Sequence, residues 1–164
     1  MDIAIPDGVD AKIISNTVKL HGKLGDAEKK FSSLLNIKVE GKNISIEGNS
    51  KALINSVRAH IKNMLHGIQN GYKIKLKIIF AHFPMNIEVK GKDIVIKNFL
   101  GEKQPRKAML VGNTKLEYNS KEQIVIISGL DKEAIGATIS NIRTATKIKE
   151  KDPRVFQDGL YVIE

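Results

Sequence analysis

Two halves of this chain carry the same signals in the same order, and that repetition constrains the fold more than any other feature. In the first half, Ala11 to Leu20 reads as two short strands around a turn at Ser15-Asn16. Leu24-Gly25 and a polar stretch follow. Ile37-Lys38-Val39 and Ile44-Ser45-Ile46 then alternate with period two around Gly41-Lys42-Asn43. This pattern is a hairpin with Ile37, Val39, Ile44 and Ile46 on one face. Asn49 or Ser50 caps a helix in which Leu53, Ile54, Val57, Ile61 and Leu65 recur at helical spacing. Gly67 to Gly71 ends it.

In the second half, Ile87-Glu88-Val89 and Ile94-Val95-Ile96 flank Lys90-Gly91-Lys92-Asp93, again a hairpin. Leu100-Gly101 lies 76 residues after Leu24-Gly25. Leu116-Glu117-Tyr118 and Gln123 to Ile127 form the next pair of strands. Asp131 caps a helix with Ile135, Ile139 and Ile142 on one face, 81 positions after Ser50. The second copy has therefore gained a few residues, and the pattern is that of an internal duplication.

Between the halves, Lys73, Lys75 and Lys77 alternate with Ile74, Leu76 and Ile78. That is a strand with an aliphatic face and a lysine face, which either guards a sheet edge or meets RNA. Ala81-His82-Phe83-Pro84 breaks it, because proline ends ladder pairing, and His82 is expected to order this turn. The expected class is α+β: two tandem copies of a small antiparallel sheet with one helix packed on a face, over residues 1–82 and 83–164.

Chemistry is harder to find. The four histidines are scattered, and His60 and His66 stand six apart on a helix, facing different ways. The carboxylates lie among lysines, not in apolar settings that would raise a pKa. No glycine-rich loop matches a phosphate cradle of nucleotide enzymes. Neither catalysis nor a cofactor or metal is expected. Cysteine is absent, which excludes disulfides and thiolate metal sites and fits a reducing compartment. No apolar run approaches the ~18 residues of a membrane span. The first fifteen residues lack a basic run and carry Asp2, Asp7 and Asp10, so no secretory signal is expected.

The charge is informative. The formal net charge is +9, which favours a polyanionic partner. Only four of the 27 basic residues are arginine. Lysine is a hydrated point charge, whereas arginine offers the bidentate fork that reads guanine. Contacts to phosphate and shape are expected, not base-edge readout. In the second half the cations segregate. Lys97 to Lys115 holds five against Glu102, and Arg143 to Arg154 holds five against Glu150 and Asp152. The second tract leads into Arg154-Val155-Phe156-Gln157-Asp158-Gly159-Leu160-Tyr161. This is not the composition of a disordered basic tail, since Phe156, Leu160, Tyr161 and Val162 need burial. The tract is expected to hold cations at fixed positions. In Asn98-Phe99-Leu100-Gly101-Glu102-Lys103-Gln104-Pro105-Arg106-Lys107, Gly101 allows close backbone approach and Pro105 stiffens the turn presenting Arg106 and Lys107. No aromatic reads as an exposed base-stacking platform, which argues against a single-strand reader. A basic module for another folded nucleic acid or for an anionic membrane is the alternative.

Three tracts carry a resemblance: Tyr72-Lys73 through Ala81-His82-Phe83-Pro84; Asn98-Phe99-Leu100-Gly101-Glu102-Lys103 with Arg106-Lys107; and Arg154 to Tyr161 as quoted above. In this order they resemble the sixth-protein family of the large ribosomal subunit, in its archaeal and eukaryotic branch. One departure is Thr144, near where that family usually has glutamine. The resemblance implies two tandem copies of one α+β fold in a structural, non-enzymatic protein of the cytoplasmic ribosome. It implies binding to large-subunit rRNA, chiefly through the second domain. The partners it implies are neighbouring ribosomal proteins, with translational GTPases docking nearby at the stalk base. Carried over, Lys103, Arg106, Lys107, Lys149, Lys151 and Arg154 contact phosphates, and Gly101 and Gly159 permit close backbone approach. Lys97 and Lys147 complete the expected set. Phe156 and Tyr161 are expected to anchor the segment to the core.

Overall fold

The computed structural model of the chain describes residues 2–81, 83–149, 151–152 and 154–163. It is α+β, and it divides into two compact units, the first running to Gly71 and also taking in Leu130–Lys132, the second holding the rest from Tyr72 on. His82, expected to order the connecting turn, lies outside the described residues.

The first unit comprises β1 (Asp2–Ala4), β2 (Asp10–Ile14), β3 (Thr17–Gly22), β4 (Gly25–Lys30), β5 (Leu35–Glu40), β6 (Asn43–Gly48) and α1 (Lys51–Asn70). Two antiparallel sheets form, in the orders β2-β3-β4 and β1-β6-β5. The expected hairpins are present. Ser15 and Asn16 both take positive φ (46° and 62°), as a two-residue turn between Ile14 and Thr17 requires. Gly41 (φ 62°) plays that part between Glu40 and Asn43. The Ser50 hydroxyl caps α1 by accepting from the Leu53 N–H, and Gly71 donates back to the Gly67 carbonyl. Val57, Ile61, Leu65 and Ile68 bury one stripe of α1 against Val18, Leu20, Ile37, Ile44 and Ile46. Leu53, in the first turn, stays 40% exposed. The polar stretch after Leu24 is a strand, β4, although Ala27 is its only apolar side chain. Pairing with β3 makes it one, supported by a Lys19–Glu28 ion pair at 3.0 Å and a His21–Asp26 contact. Tertiary pairing here overrides weak local propensity.

The second unit comprises β7 (Tyr72–Ile79), β8 (Asn86–Lys90), β9 (Asp93–Lys97), a 3₁₀ turn (Phe99–Gly101), β10 (Arg106–Met109), β11 (Lys115–Asn119), β12 (Ile124–Gly129), α2 (Lys132–Ala145) and β13 (Gly159–Val162). Its sheets run β10-β9-β8 and β11-β12-β7-β13. The order β11-β12-β7 repeats β5-β6-β1, each pair antiparallel. The unit used twice is thus a three-stranded meander, then a hairpin joined by an earlier strand, then a helix. Leu76, Ile78, Ile87, Ile94, Ile96, Phe99, Val125, Ile127, Ile135, Ile139, Ile142 and Leu160 form its core.

Two expectations change. The lysine-bearing strand β7 is bonded on one side to β12 and on the other to β13, so it belongs to the second unit and is not an edge. Lys73, Lys75 and Lys77 lie on the exposed side of a central strand, and a role in guarding an edge falls away. In β13 only Leu160 of the three apolar residues is buried; Tyr161 and Val162 are 42% and 44% exposed. Leu160 and Tyr161 point to opposite faces of the strand, and Leu160 takes the covered one.

Because β7 holds both β12 and β13, a fragment of residues 72–164 is expected to unfold in one cooperative urea transition. A fragment of residues 83–164, lacking β7, is expected to show none. Equal cooperativity of the two fragments would mean that β7 is dispensable to the second unit.

A candidate nucleic-acid interface in the second unit

The interface is organised by an arginine. Arg106 starts β10, and its side chain turns toward the core side, so only 18% of it is exposed. The guanidinium lies 4.3 Å above the centre of the buried Phe99 ring. Its Nε donates to Glu102 Oε2 at 2.8 Å and its Nη2 to Oε1 at 2.6 Å, a fork-to-fork pair. Its Nη1 donates to the Ala145 and Lys147 carbonyls at 2.9 and 2.8 Å. Ala145 ends α2, whose last carbonyls have no partner within the helix, and cations are favoured there. One planar cation thus fastens the loop after β9 to the segment after α2. Lysine cannot do this, because it is a single point charge without the fork.

The loop is held from its other end as well. Asn98 takes the left-handed conformation and its side-chain amide donates to the Pro84 carbonyl at 3.0 Å. Leu100 also has positive φ, unusual for a branched residue, and Gly101 follows at 76°. A Cβ on Gly101 would stand 3.2 Å from the Phe83 ring, a close contact on top of the positive φ that favours glycine here. After α2, Asp152 orders the residues that lead into the last strand. Its carbonyl accepts from the Val155 and Phe156 N–H groups, and its carboxylate accepts from the Arg154 N–H at 2.9 Å. Lys151 Nζ stands 4.7 Å from the centre of the half-buried Phe156 ring. Asp158, 3% exposed, accepts from the Ala81 N–H and ties the segment to the end of β7.

The expected site residues are not placed alike. Arg106, Lys147, Lys149 and Lys151 are brought together around Glu102. The Glu102 carboxyl is held below the ordinary glutamate value first by its hydrogen bonds from Arg106, against some desolvation, and then by the charges of Arg106, Lys151 and Lys149. Lys103, Lys107 and Arg154 are exposed, Lys107 on the side of β10 opposite Arg106. Lys97 is occupied: it donates to Glu88 at 2.6 Å, and that bond lowers the Glu88 pKa. Gly159 is buried in β13 opposite Ile79, and a Cβ there would meet the Tyr161 ring at 3.3 Å.

The sequence reading missed the internal use of Arg106. The signal was present in Glu102 and Arg106 four apart, but the carbonyls that complete the clamp lie 39 and 41 residues away. It also missed two partly exposed aromatics, Phe83 (45%) and Tyr161 (42%). Phe83 lies beside Gly101 and Tyr161 beside Gly159, and the Tyr161 hydroxyl donates to the Gln157 carbonyl at 3.1 Å. Among the described residues, no group of histidines and carboxylates could hold a metal ion, and no helix is long and apolar enough to cross a membrane.

Comparison with known proteins fits this description. The family model for ribosomal protein L6 matches twice, over residues 5–71 and 83–159. Each match begins after the first strand of its unit, β1 or β7, so the recurring sequence is shorter than the recurring fold. The chain is 42% identical to large ribosomal subunit protein uL6 of Methanobrevibacter smithii, over 99% of this chain and 93% of that one. It is 38% identical to the protein of that name from Methanosarcina mazei (99% and 94% covered). For Aeropyrum pernix the figure is 37% (99% and 92%). The chain belongs to the ribosomal protein L6 family.

The clamp predicts two outcomes. Replacing Arg106 by Lys is expected to cost roughly 1–3 kcal/mol in urea unfolding, the range for hydrogen bonds involving charged groups lost from a partly buried site. A change within error would show that the clamp is not needed. The lowered Glu102 pKa means that the unfolded chain binds the proton more readily. The stability it contributes is present above the unfolded value, ~4.3, and is lost as pH falls through the folded value. Glu102→Gln should therefore flatten the stability-versus-pH curve in that acid window and leave the slope near neutrality unchanged.

Proposed function

We propose that the chain is a structural, non-catalytic constituent of the large ribosomal subunit, and that its second unit grips large-subunit rRNA through phosphates. Family membership supports the placement, since the relatives are named as proteins of that subunit. The Arg106 clamp carries the mechanism. It joins two basic tracts that are distant in sequence, so Lys103, Lys147, Lys149, Lys151 and Arg154 are presented by one braced region. Ordering these side chains before binding reduces the entropy lost on meeting an RNA that is already folded. The lysine excess suits backbone contacts and shape, not base identity. Arg106 acts by positioning, because four of its five N–H donors are already engaged within the protein.

The family resemblance adds a finer location: beside the region where translational GTPases dock, near the stalk base, among neighbouring proteins of the cytoplasmic subunit. No step of chemistry is assigned to the chain there; its part is to hold RNA in place.

If about six phosphates are neutralised, log affinity for the RNA should fall with log salt at a slope near −5, taking ~−0.9 per phosphate as a guide. A filter-binding titration from low to moderate salt measures it, and a slope near zero would contradict the mechanism. Arg154→Ala should weaken binding to RNA sequence variants about equally. Loss confined to one variant would mean base readout instead.

A further inference from the structure

The first unit carries an arginine that its own fold leaves unsatisfied. Arg58, on α1, is partly buried, and its Nε is fully buried without a hydrogen-bond acceptor among the described residues. It lines a groove of about 420 Å³ between β1 and α1, together with Lys62, His66 and Gln69 of the helix and Asp2 of the strand. Arg58, Lys62, His66 and Gln69 follow one another at helical spacing, so they form a single stripe. Asp2 and His66 each have an interaction of their own. The local formal charge from Arg58, Lys62 and Asp2 is positive. Two like charges four residues apart work against a helix, and a buried guanidinium N–H without an acceptor is costly. An anion in the groove would offset both.

The two units differ at this place. In the second unit β13 fills the outer side of β7. In the first unit β1, the counterpart of β7, ends its sheet, with no strand on that side among the described residues. The groove thus lies beside a strand at the end of its sheet.

We infer that this groove is a phosphate-binding site, and that its occupant is a phosphodiester of an RNA backbone. The donor set decides the chemistry. A guanidinium lacking an internal acceptor, an ammonium and a carboxamide suit an anion with several outward oxygens, and arginine pairs with phosphate bidentately. The site stands on the geometry of the first unit alone. RNA as the source of the phosphate rests on the function proposed above.

The test has two arms, both on the full chain. In the first, the arginine Nε–Hε resonances are followed by NMR while dimethyl phosphate is added at constant ionic strength. The Arg58 resonance is expected to shift and saturate, while that of Arg106, already bonded internally, stays in place. No saturating shift overturns the site. An equal response to acetate would indicate a carboxylate from a protein partner, and clear preference for inorganic phosphate a free ion; either overturns the phosphodiester. In the second arm, Arg58→Gln with Lys62→Gln is assayed against large-subunit rRNA, with the melting curve as a check on folding. The salt slope is expected to become shallower by about 1 to 2, one or two phosphate contacts' worth. An unchanged slope overturns the RNA assignment. Lys149→Gln with Lys151→Gln is run in parallel. If that pair alone leaves the slope unchanged, the proposal for the second unit fails and the Arg58 site stands.

Discussion

The second unit depends on how a single guanidinium is satisfied. Arg106 has a buried aromatic below it, a carboxylate on one side and, on the other, the carbonyls of Ala145 at the end of α2 and of Lys147 just beyond it. Each contact answers a need of the partner. The carbonyls at the end of α2 lack partners within the helix, and Glu102 sits among lysines. The cation that satisfies them all sets where the loop and the C-terminal segment lie. Free lysines on two unconnected loops would lose much side-chain and loop entropy on binding. Braced together, they lose less, so the same charges act as an interface.

The duplicated fold explains where the room for such an interface arises. Each unit is a meander, a hairpin joined by an earlier strand, and a helix. In the second unit the chain continues past its helix, picks up the basic tract, and returns as β13 on the outer side of β7. Leu160 inserts in the core and Asp158 bonds the end of β7, so the tract is anchored at both ends. The described residues of the first unit include no such strand. Its sheet ends at β1, and there Arg58 lies with its buried Nε unsatisfied.

Much of this was readable in the residues. The hairpins at Ser15-Asn16, Gly41-Lys42 and Gly91-Lys92 are dictated by period-two alternation and turn chemistry. Both helices are dictated by their apolar stripes. The features that escaped are those fixed by distant partners. β4 is a strand because β3 offers it a ladder, and β10 because β9 does, although Pro105 and two cations make it read as loop. The strand does end at Ile79, yet β7 belongs to the second unit because its ladder partners are residues 124–129 and 159–162. At the candidate interface the positions of the charges were legible. Their division into presenters and a positioning residue was not, since it depends on contacts across some forty residues.

The central claim is that the two basic tracts of the second unit face one stretch of RNA. The chain has no cysteine, so a single one can be introduced at will. Hydroxyl-radical probing from iron tethered at Lys103→Cys and, separately, at Lys149→Cys, on the protein bound to large-subunit rRNA, tests the claim directly. The account predicts overlapping cleavage from both positions. Cleavage at unrelated places, or strong cleavage only from probes on the first unit, would contradict it.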